Sequence, residues 1–301
     1  MISVIIPTYN RPNLISMSLQ SVLAQTITDL EIIVVDGSNN DDTRKQVNKI
    51  NDSRINYLQI SNISAANSRN IGIDKAKGEF IAFNDDDDVW YNNKIERQLD
   101  IFKKRSNEKI VVYSTFIRSS GKHTRKTPDE TIKKTQGDIY NEILQRNFVG
   151  LPTVMLPFSC CKKVKFDEGL QCLEDWDWFI RLAKKFPFEL IKETLVTVGN
   201  TPKSVNKSAY SIKSKSYRKI YEKYYKDIKP VPGINSKHLL SIGNNMCLSG
   251  NLKEGRKYLF DSFKINKKNP IIIISYLLSF MGKDFYRCNF ELLERLTNME
   301  P

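Results

Sequence analysis

Apolar positions along the first half of the chain follow two alternating periods. Short runs rich in β-branched residues predict buried strands: SVIIP (3–7), EIIVVD (31–36), RINYLQI (54–60), EFIAF (79–83) and KIVVYST (109–115). Between them, apolar residues recur at helical spacing. In NRPNLISMSLQSVLAQ the stripe is Leu14, Met17, Leu19, Val22 and Leu23, with Asn10 as a candidate cap and Pro12 suited to the first turn. DDTRKQVNKI (41–50) reads as a helix with acids at its start, and Ser64 can cap SAANSRNIGIDKA. NKIERQLDIFKK (93–104) puts Ile95, Leu99 and Phe102 on one face. Strand and helix alternating at this spacing predict an α/β fold, a Rossmann-like and mainly parallel sheet flanked by helices. Ligands of such sheets bind beyond the carboxyl ends of the strands, where Asp36 and Asp85 to Asp88 stand.

Residues 118–138 lack apolar content and read as a long, basic, mobile loop. PTVML (152–156) and FELIKETLVTV (188–198) follow, with EDWDWFIRLAKKF (174–186) helical between them through Trp176, Phe179, Ile180 and Ala183. The polar, basic stretch 200–216 marks a boundary, dividing the chain into residues 1–200 and an all-helical region, 201–301. Within the latter, 238–270 resembles a helix–turn–helix of tetratricopeptide type, with Gly250 at the turn. A single repeat of this kind needs neighbours to pack against.

Charge sharpens this division. The 301 residues carry a net +13, of which the stretch from Thr201 to Pro301 holds +11. An acidic partner (anionic lipid, phosphorylated substrate or nucleic acid) or a lysine-rich solvated surface each accounts for the excess. The five cysteines are odd in number, two are adjacent, and none forms a C-x-x-C pair, which fits neither a zinc site nor a disulfide framework and points to a reducing compartment. Two histidines give little support to a His-rich zinc site or a Ser-His-Asp triad. Met1 leads straight into SVIIPTYN without a basic stretch, so no signal peptide is expected. The longest apolar run, PIIIISYLLSFMG (270–282), has 13 residues where a membrane span needs about 20. It predicts a core helix or a helix lying in a membrane interface.

The stretch FNDDDDVW (83–90) poses the chemical question. Four acids after a buried strand make either a solvated helix cap or a metal site. Mg²⁺ and Mn²⁺ take oxygen ligands and often use one or two carboxylates with substrate phosphates, so the second alternative implies a nucleotide diphosphate. Strand-like alternation would put Asp85 and Asp87 on one face, with Asp86 and Asp88 opposite or capping the next helix.

Four stretches occur in order: SVIIPTYNRP, EIIVVDGSNNDDT, SAANSRNIGIDKAKGEFIAFNDDDDVW and LEDWDWFIRLA. Together they resemble family 2 glycosyltransferases of the GT-A fold, over roughly residues 1–200. The resemblance implies that Pro7, Thr8, Tyr9 and Asn10, with Arg11 nearby, line a nucleotide-base pocket, and that Asp36 accepts the uracil N3–H. The family often has two acids at that point, where this chain has Asp36-Gly37-Ser38. Asn67, Arg69 and Asn70 match nucleotide-sugar contacts, Asp85 and Asp86 match positions near ribose and metal, and Asp87 matches the ligand of a Mn²⁺ or Mg²⁺ ion, with Asp85 beside it. Asp175 matches the general base, and its place at a helix start favours the ionised form. Arg181, about two turns on, is placed to orient Glu174, to pair with a diphosphate, or to make a plain ion pair. Trp178 and Trp176 are candidates to stack on an acceptor sugar, Trp176 more readily a core residue. No histidine follows the helix, which leaves Lys203, Ser204 or Asn206 to contact phosphate.

The function so implied is a metal-dependent, inverting transferase that moves a sugar from a UDP-sugar to a hydroxyl of a glycan or lipid-linked acceptor. A cytoplasmic protein is expected, with possible placement at the cytoplasmic face of the membrane by peripheral contact with anionic lipid. Lys213, Lys215, Arg218 and Lys219 around Tyr217 and Tyr221, and the 270–282 run, are the candidate contacts. Nucleic acid is not expected as a partner. The rival readings are a degenerate transferase serving as a membrane- or nucleic-acid-binding module, and a nucleotidyltransferase. The latter usually needs a glycine-rich phosphate loop, and residues 7–13 contain no glycine; nor does a G-x-G-x-x-G follow a strand, as an NAD dehydrogenase requires.

Overall fold

In the structure, a computed structural model that describes residues 1–105, 108–120, 123–199 and 207–297, the first four predicted strands form as expected. They are β1 (Ile2–Thr8), β2 (Leu30–Asp36), β3 (Ile55–Gln59) and β4 (Phe80–Phe83), linked by α1 (Pro12–Leu23), α2 (Asp42–Ile50) and α3 (Ala65–Lys75). They pair in parallel in the order β3-β2-β1-β4. All of β1 is buried, as a strand covered on both faces must be, which is why it reads as one apolar run. Its register with β2 sets Thr8 beside Asp36 at the carboxyl edge.

The rest of this half is less regular. It comprises β5 (Val89–Trp90), α4 (Lys94–Lys104), β6 (Val111–Ser120), β7 (His123–Thr127), α5 (Tyr140–Gln145), β8 (Met155–Pro157), α6 (Phe158–Lys163), α7 (Glu174–Ala183) and β9 (Phe188–Val198). The sheet continues β4-β8-β6-β9-β5, with β7 paired to the far end of β6 off this path. Here pairing is mixed: β8 runs antiparallel to β4 and β6, and β5 antiparallel to β9, while β9 is parallel to β6. The parallel expectation therefore describes one half of the sheet. Strands without a crossover helix between them, such as the β6–β7 hairpin, have no parallel option.

That hairpin also corrects the reading of 118–138 as a loop. The ladder pairs Phe116 with Thr127 and Ser120 with His123. Beyond it, Asp129 accepts hydrogen bonds from Arg125 (3.2 Å), from Arg146 (3.0 Å) and from Thr131. Burial opposes the charge of Asp129, but these donors win and hold its carboxyl well below the ordinary range. Ion pairs, rather than an apolar stripe, order this segment. Under the sheet, Trp178 packs edge-on to Phe83 (5.3 Å between centroids) and stacks on Phe166 (4.5 Å). Trp176 and Trp178 are both buried, and their indoles donate to the carbonyls of Ile143 and Val164, so neither is presented to an acceptor sugar.

Backbone contacts divide the chain into two units, one of Met1–Glu168 with Glu174–Pro202, the other of Gly169–Leu173 with Lys203–Pro301. The second unit contains α8 (Lys207–Lys223), α9 (Tyr225–Ile228), α10 (Pro232–Ser249), α11 (Leu252–Ile265), α12 (Pro270–Leu278) and α13 (Lys283–Thr297). Gly250 ends α10 at φ 100°, with Asn251 N donating to Met246 O and Gly250 N to Cys247 O, the paired bonds of a Schellman stop. α10 and α11 then cross closely enough that a Cβ on Gly255 would meet Cys247 Sγ at 2.5 Å and Gly243 O at 2.8 Å. Among the described residues no helix is long and apolar enough to cross a membrane.

Candidate active site

The acids that follow β4 sit in a turn, not in an extended strand. Asp88 N donates to Asp85 O (3.2 Å). Two polar side chains brace that turn: Ser18 of α1 donates to the Asp85 carbonyl (2.9 Å), and Asn84 donates to Ser18 Oγ (2.8 Å). Gly199, just past β9, donates its N–H to Asp88 Oδ1 at 2.7 Å. A Cβ on Gly199 would lie 2.1 Å from the Asp87 carbonyl oxygen, so this close passage demands glycine.

In this turn the acids take different partners, Asp85 one arginine and Asp87 another. Asp86 accepts from Thr8 Oγ1 (2.8 Å) and Arg11 (3.0 Å), and Arg11 also reaches Asp87 (3.4 Å). Asp85 turns to Arg69 (2.9 Å). Burial pushes the Asp86 carboxyl up to about 6, against the pull of Thr8 and Arg11. Burial, with the charge of Asp85 next, raises Asp88 as well.

Arg69 is the join between two groups of acids. It lies buried on α3, and its second nitrogen donates to Glu174 at 2.8 Å, at the first residue of α7. Asp175 follows, accepting from Asn147 Nδ2 (3.1 Å) and from the N–H of Trp176 (2.7 Å). The expectation that the helix start keeps Asp175 readily ionised meets an opposing effect. Burial first, then the charge of Glu174, lifts its carboxyl above the ordinary range, while Arg69 pulls it back. A carboxylate so raised takes a proton more readily, as a general base must. Arg181 does not reach Glu174: it pairs with buried Asp177 (2.8 Å) and donates to Lys165 O (2.6 Å), bracing α7.

The remaining candidates divide. Pro7 and Thr8 are buried in β1, whereas Tyr9 and Asn10 are exposed just beyond it. Asn10 adopts a left-handed backbone (φ 53°) and does not cap α1; its N–H donates to Ser38 Oγ (2.7 Å). Asp36 is fully buried, with one oxygen accepting from Ser38 and the other from Tyr57 (2.5 Å), so its carboxylate is used internally. Beside it, Gly37 faces the Tyr9 ring, and a Cβ there would be 3.2 Å from Tyr9 Cδ2. Asn67 donates to Glu168 (2.8 Å), as does Asn70 (2.8 Å), while Ser64 caps α3 through the Asn67 N–H. Lys203, Ser204 and Asn206 lie outside the described residues. The network thus unites Thr8, Arg11, Arg69, Asp85, Asp86, Asp87 and Glu174, with Asp175 adjoining. Sequence reasoning missed Ser18, Asn84, Asn147 and Gly199; only Asn84, a polar residue closing an apolar run, left a trace there.

For a metal the donor set is sparse. Among the described residues no three acids, histidines or cysteines converge. Asp87 is partly accessible at the turn (side chain 19% exposed), with Asp85 two residues away. That matches the ions that take one or two carboxylates and complete their shell with phosphates and water, and not a caged structural ion.

Residues 3–164 match the family described as Glycosyl transferase family 2. An uncharacterized glycosyltransferase of Rickettsia felis is 32% identical over 217 residues, 70% of this chain and 35% of its own length. The chain thus spans about a third of that relative. The UDP-Glc:alpha-D-GlcNAc-diphosphoundecaprenol beta-1,3-glucosyltransferase WfgD of Escherichia coli is 34% identical over 172 residues, 53% of this chain and 63% of its own. Among solved structures, residues 1–349 of S. aureus TarS, also crystallised with UDP-GlcNAc, align with a TM-score of 0.63 or 0.64 at 21% or 19% identity, covering 98% of this chain and 91% of that one. The likeness to TarS shows the GT-A fold with its helical extension. The chain belongs to glycosyltransferase family 2.

Proposed function

We propose that the chain is an inverting glycosyltransferase that moves a sugar from a UDP-sugar to a hydroxyl of a glycan or lipid-linked acceptor, in polysaccharide, glycolipid or protein-glycan assembly. The observation that carries this reading is Arg69, which ties the acidic turn to the start of α7. It brings the group suited to a donor diphosphate next to the group suited to deprotonate an acceptor. Support for the donor and acceptor classes comes from TarS, crystallised with UDP-GlcNAc, and from WfgD, named for transfer from UDP-Glc to alpha-D-GlcNAc-diphosphoundecaprenol. An odd number of cysteines without a C-x-x-C pair favours a reducing compartment, as a cytoplasmic transferase requires.

In this reading Asp175 takes the proton of the acceptor hydroxyl while its oxygen bonds to the anomeric carbon. The bond from that carbon to the diphosphate breaks on the opposite face, and its electron pair leaves with UDP. One displacement inverts the centre, so no covalent enzyme intermediate forms. Tyr9, Asn10 and Arg11 border the place where the nucleotide lies, beyond the carboxyl edge of β1. A Mn²⁺ or Mg²⁺ ion, held by Asp87 with Asp85, would supply positive charge to the departing diphosphate.

Asp175→Asn and Asp87→Ala test the assignment. Transfer by Asp175→Asn is expected to fall about 10²- to 10⁴-fold with UDP affinity kept, the range for loss of a general base. Asp87→Ala is expected to lose both transfer and metal-dependent UDP binding, read by calorimetry. Full activity in Asp175→Asn would remove that residue from the mechanism.

A further inference from the structure

The helical unit carries a surface that the transferase chemistry does not use. α12 and the turn after it expose Ile274, Leu277 (58%), Phe280 (56%), Met281 (59%) and Phe285 within twelve residues. Scattered apolar residues are ordinary on a surface; a contiguous set is not. This one continues onto α11, where the Phe260 ring lies 5.6 Å from Tyr276, and Tyr276 lies 5.2 Å from Phe280. Cations cover its rings: Arg256 sits 4.0 Å over Phe280, and Lys264 sits 5.0 Å over Phe260. From Phe260 to Phe285 the chain has four lysines against two acids, Asp261 and Asp284, and Asp261 pairs with Lys264 (2.5 Å). By contrast, Tyr217 and Tyr221 of α8, the other sequence candidates for such a role, are partly buried, and Tyr221 bonds to Asn235.

We propose that this face docks on an anionic phospholipid surface, with Leu277, Phe280 and Met281 entering the boundary between headgroups and acyl chains. Arg256 and the lysines then meet the phosphates, as cations flanking an interfacial apolar face do. Charge selects this occupant over a second copy of the chain, because a stretch carrying +11 repels itself. Nucleic acid fits less well, since Leu277 and Met281 are aliphatic and bases bind by stacking on flat rings. The proposal stands independently of the transferase reading, and UDP binding tests the two apart.

The experiment is flotation of the whole chain with vesicles of phosphatidylglycerol and phosphatidylcholine, and with phosphatidylcholine alone. The protein is expected to float with the anionic vesicles, less so as salt rises, and at least about tenfold less with neutral ones. Leu277→Ser with Met281→Ser, both exposed and checked for folding by circular dichroism, lowers partitioning by about tenfold or more. Lys267→Glu with Lys268→Glu weakens binding to anionic vesicles only. Absence of flotation, or equal flotation of wild type and the serine variant, overturns the proposal. So does a concentration-dependent dimer, or RNA binding, that the serine variant loses while its flotation is unchanged.

Discussion

Arg69 spends its charge on two carboxylates at once, and lysine has no such fork. Arg69→Lys is therefore expected to fold yet lower kcat about 100-fold, the usual cost of a roughly 1 Å misplacement at a reacting centre. Arg69→Met leaves two carboxylates without their cation and is expected to lose about 3–5 kcal/mol of stability, seen as a lower urea midpoint. It also bears on pH. The base works deprotonated, so the rate falls as pH drops through its pKa. Burial and Glu174 hold Asp175 above the ordinary carboxylate range, so the acid limb of kcat belongs above that range too. Arg69 lowers this pKa; its loss to methionine should move the limb to higher pH, read from residual kcat across pH. The acids themselves were legible in the sequence because they form contiguous motifs. The partners that decide their use were not: Tyr57 reaches Asp36 across 21 positions, and Arg181 takes Lys165 O from 16 positions back.

At the scale of elements, periodicity served best where burial is simplest. β1 to β4 and their helices follow from apolar runs and helical stripes, and the Gly250 turn between α10 and α11 follows from one residue. The β6–β7 hairpin did not, because RSSGKHTRKT has no apolar alternation. Its order comes from backbone pairing, with Asp129 anchoring the segment just beyond the second strand. β8 takes up only the end of the PTVML run, because Leu151–Thr153 close into a short 3-10 turn before it. The end of β9 is where an element touches chemistry. Gly199→Ala would drive a Cβ into the Asp87 carbonyl and shift the acidic turn. Transfer is expected to drop about 100-fold, with a smaller proportional effect on the thermal midpoint. A variant with wild-type kcat would show that the turn tolerates displacement.

At the scale of the molecule, the sequence announced two regions through charge and composition, and contacts draw a less simple partition. Gly169–Leu173 lies with the helices, although the chain on either side lies with the sheet. Lys219 of α8 donates to Gly169 O at 2.6 Å within that helical grouping. Glu174 and Asp175 come immediately afterwards, so the peptide leading into the proposed base is a lodger elsewhere. Cutting the gene after codon 202, the natural way to isolate the sheet, evicts nothing visible from the catalytic sequence yet takes away the lodging. Such a fragment is expected to retain UDP but to turn over at least about tenfold slower in single-turnover assays, a loss of the size that poor positioning brings. Matching rates would mean that the five-residue lead holds its own shape, and that the two regions are separable in practice as well as in composition.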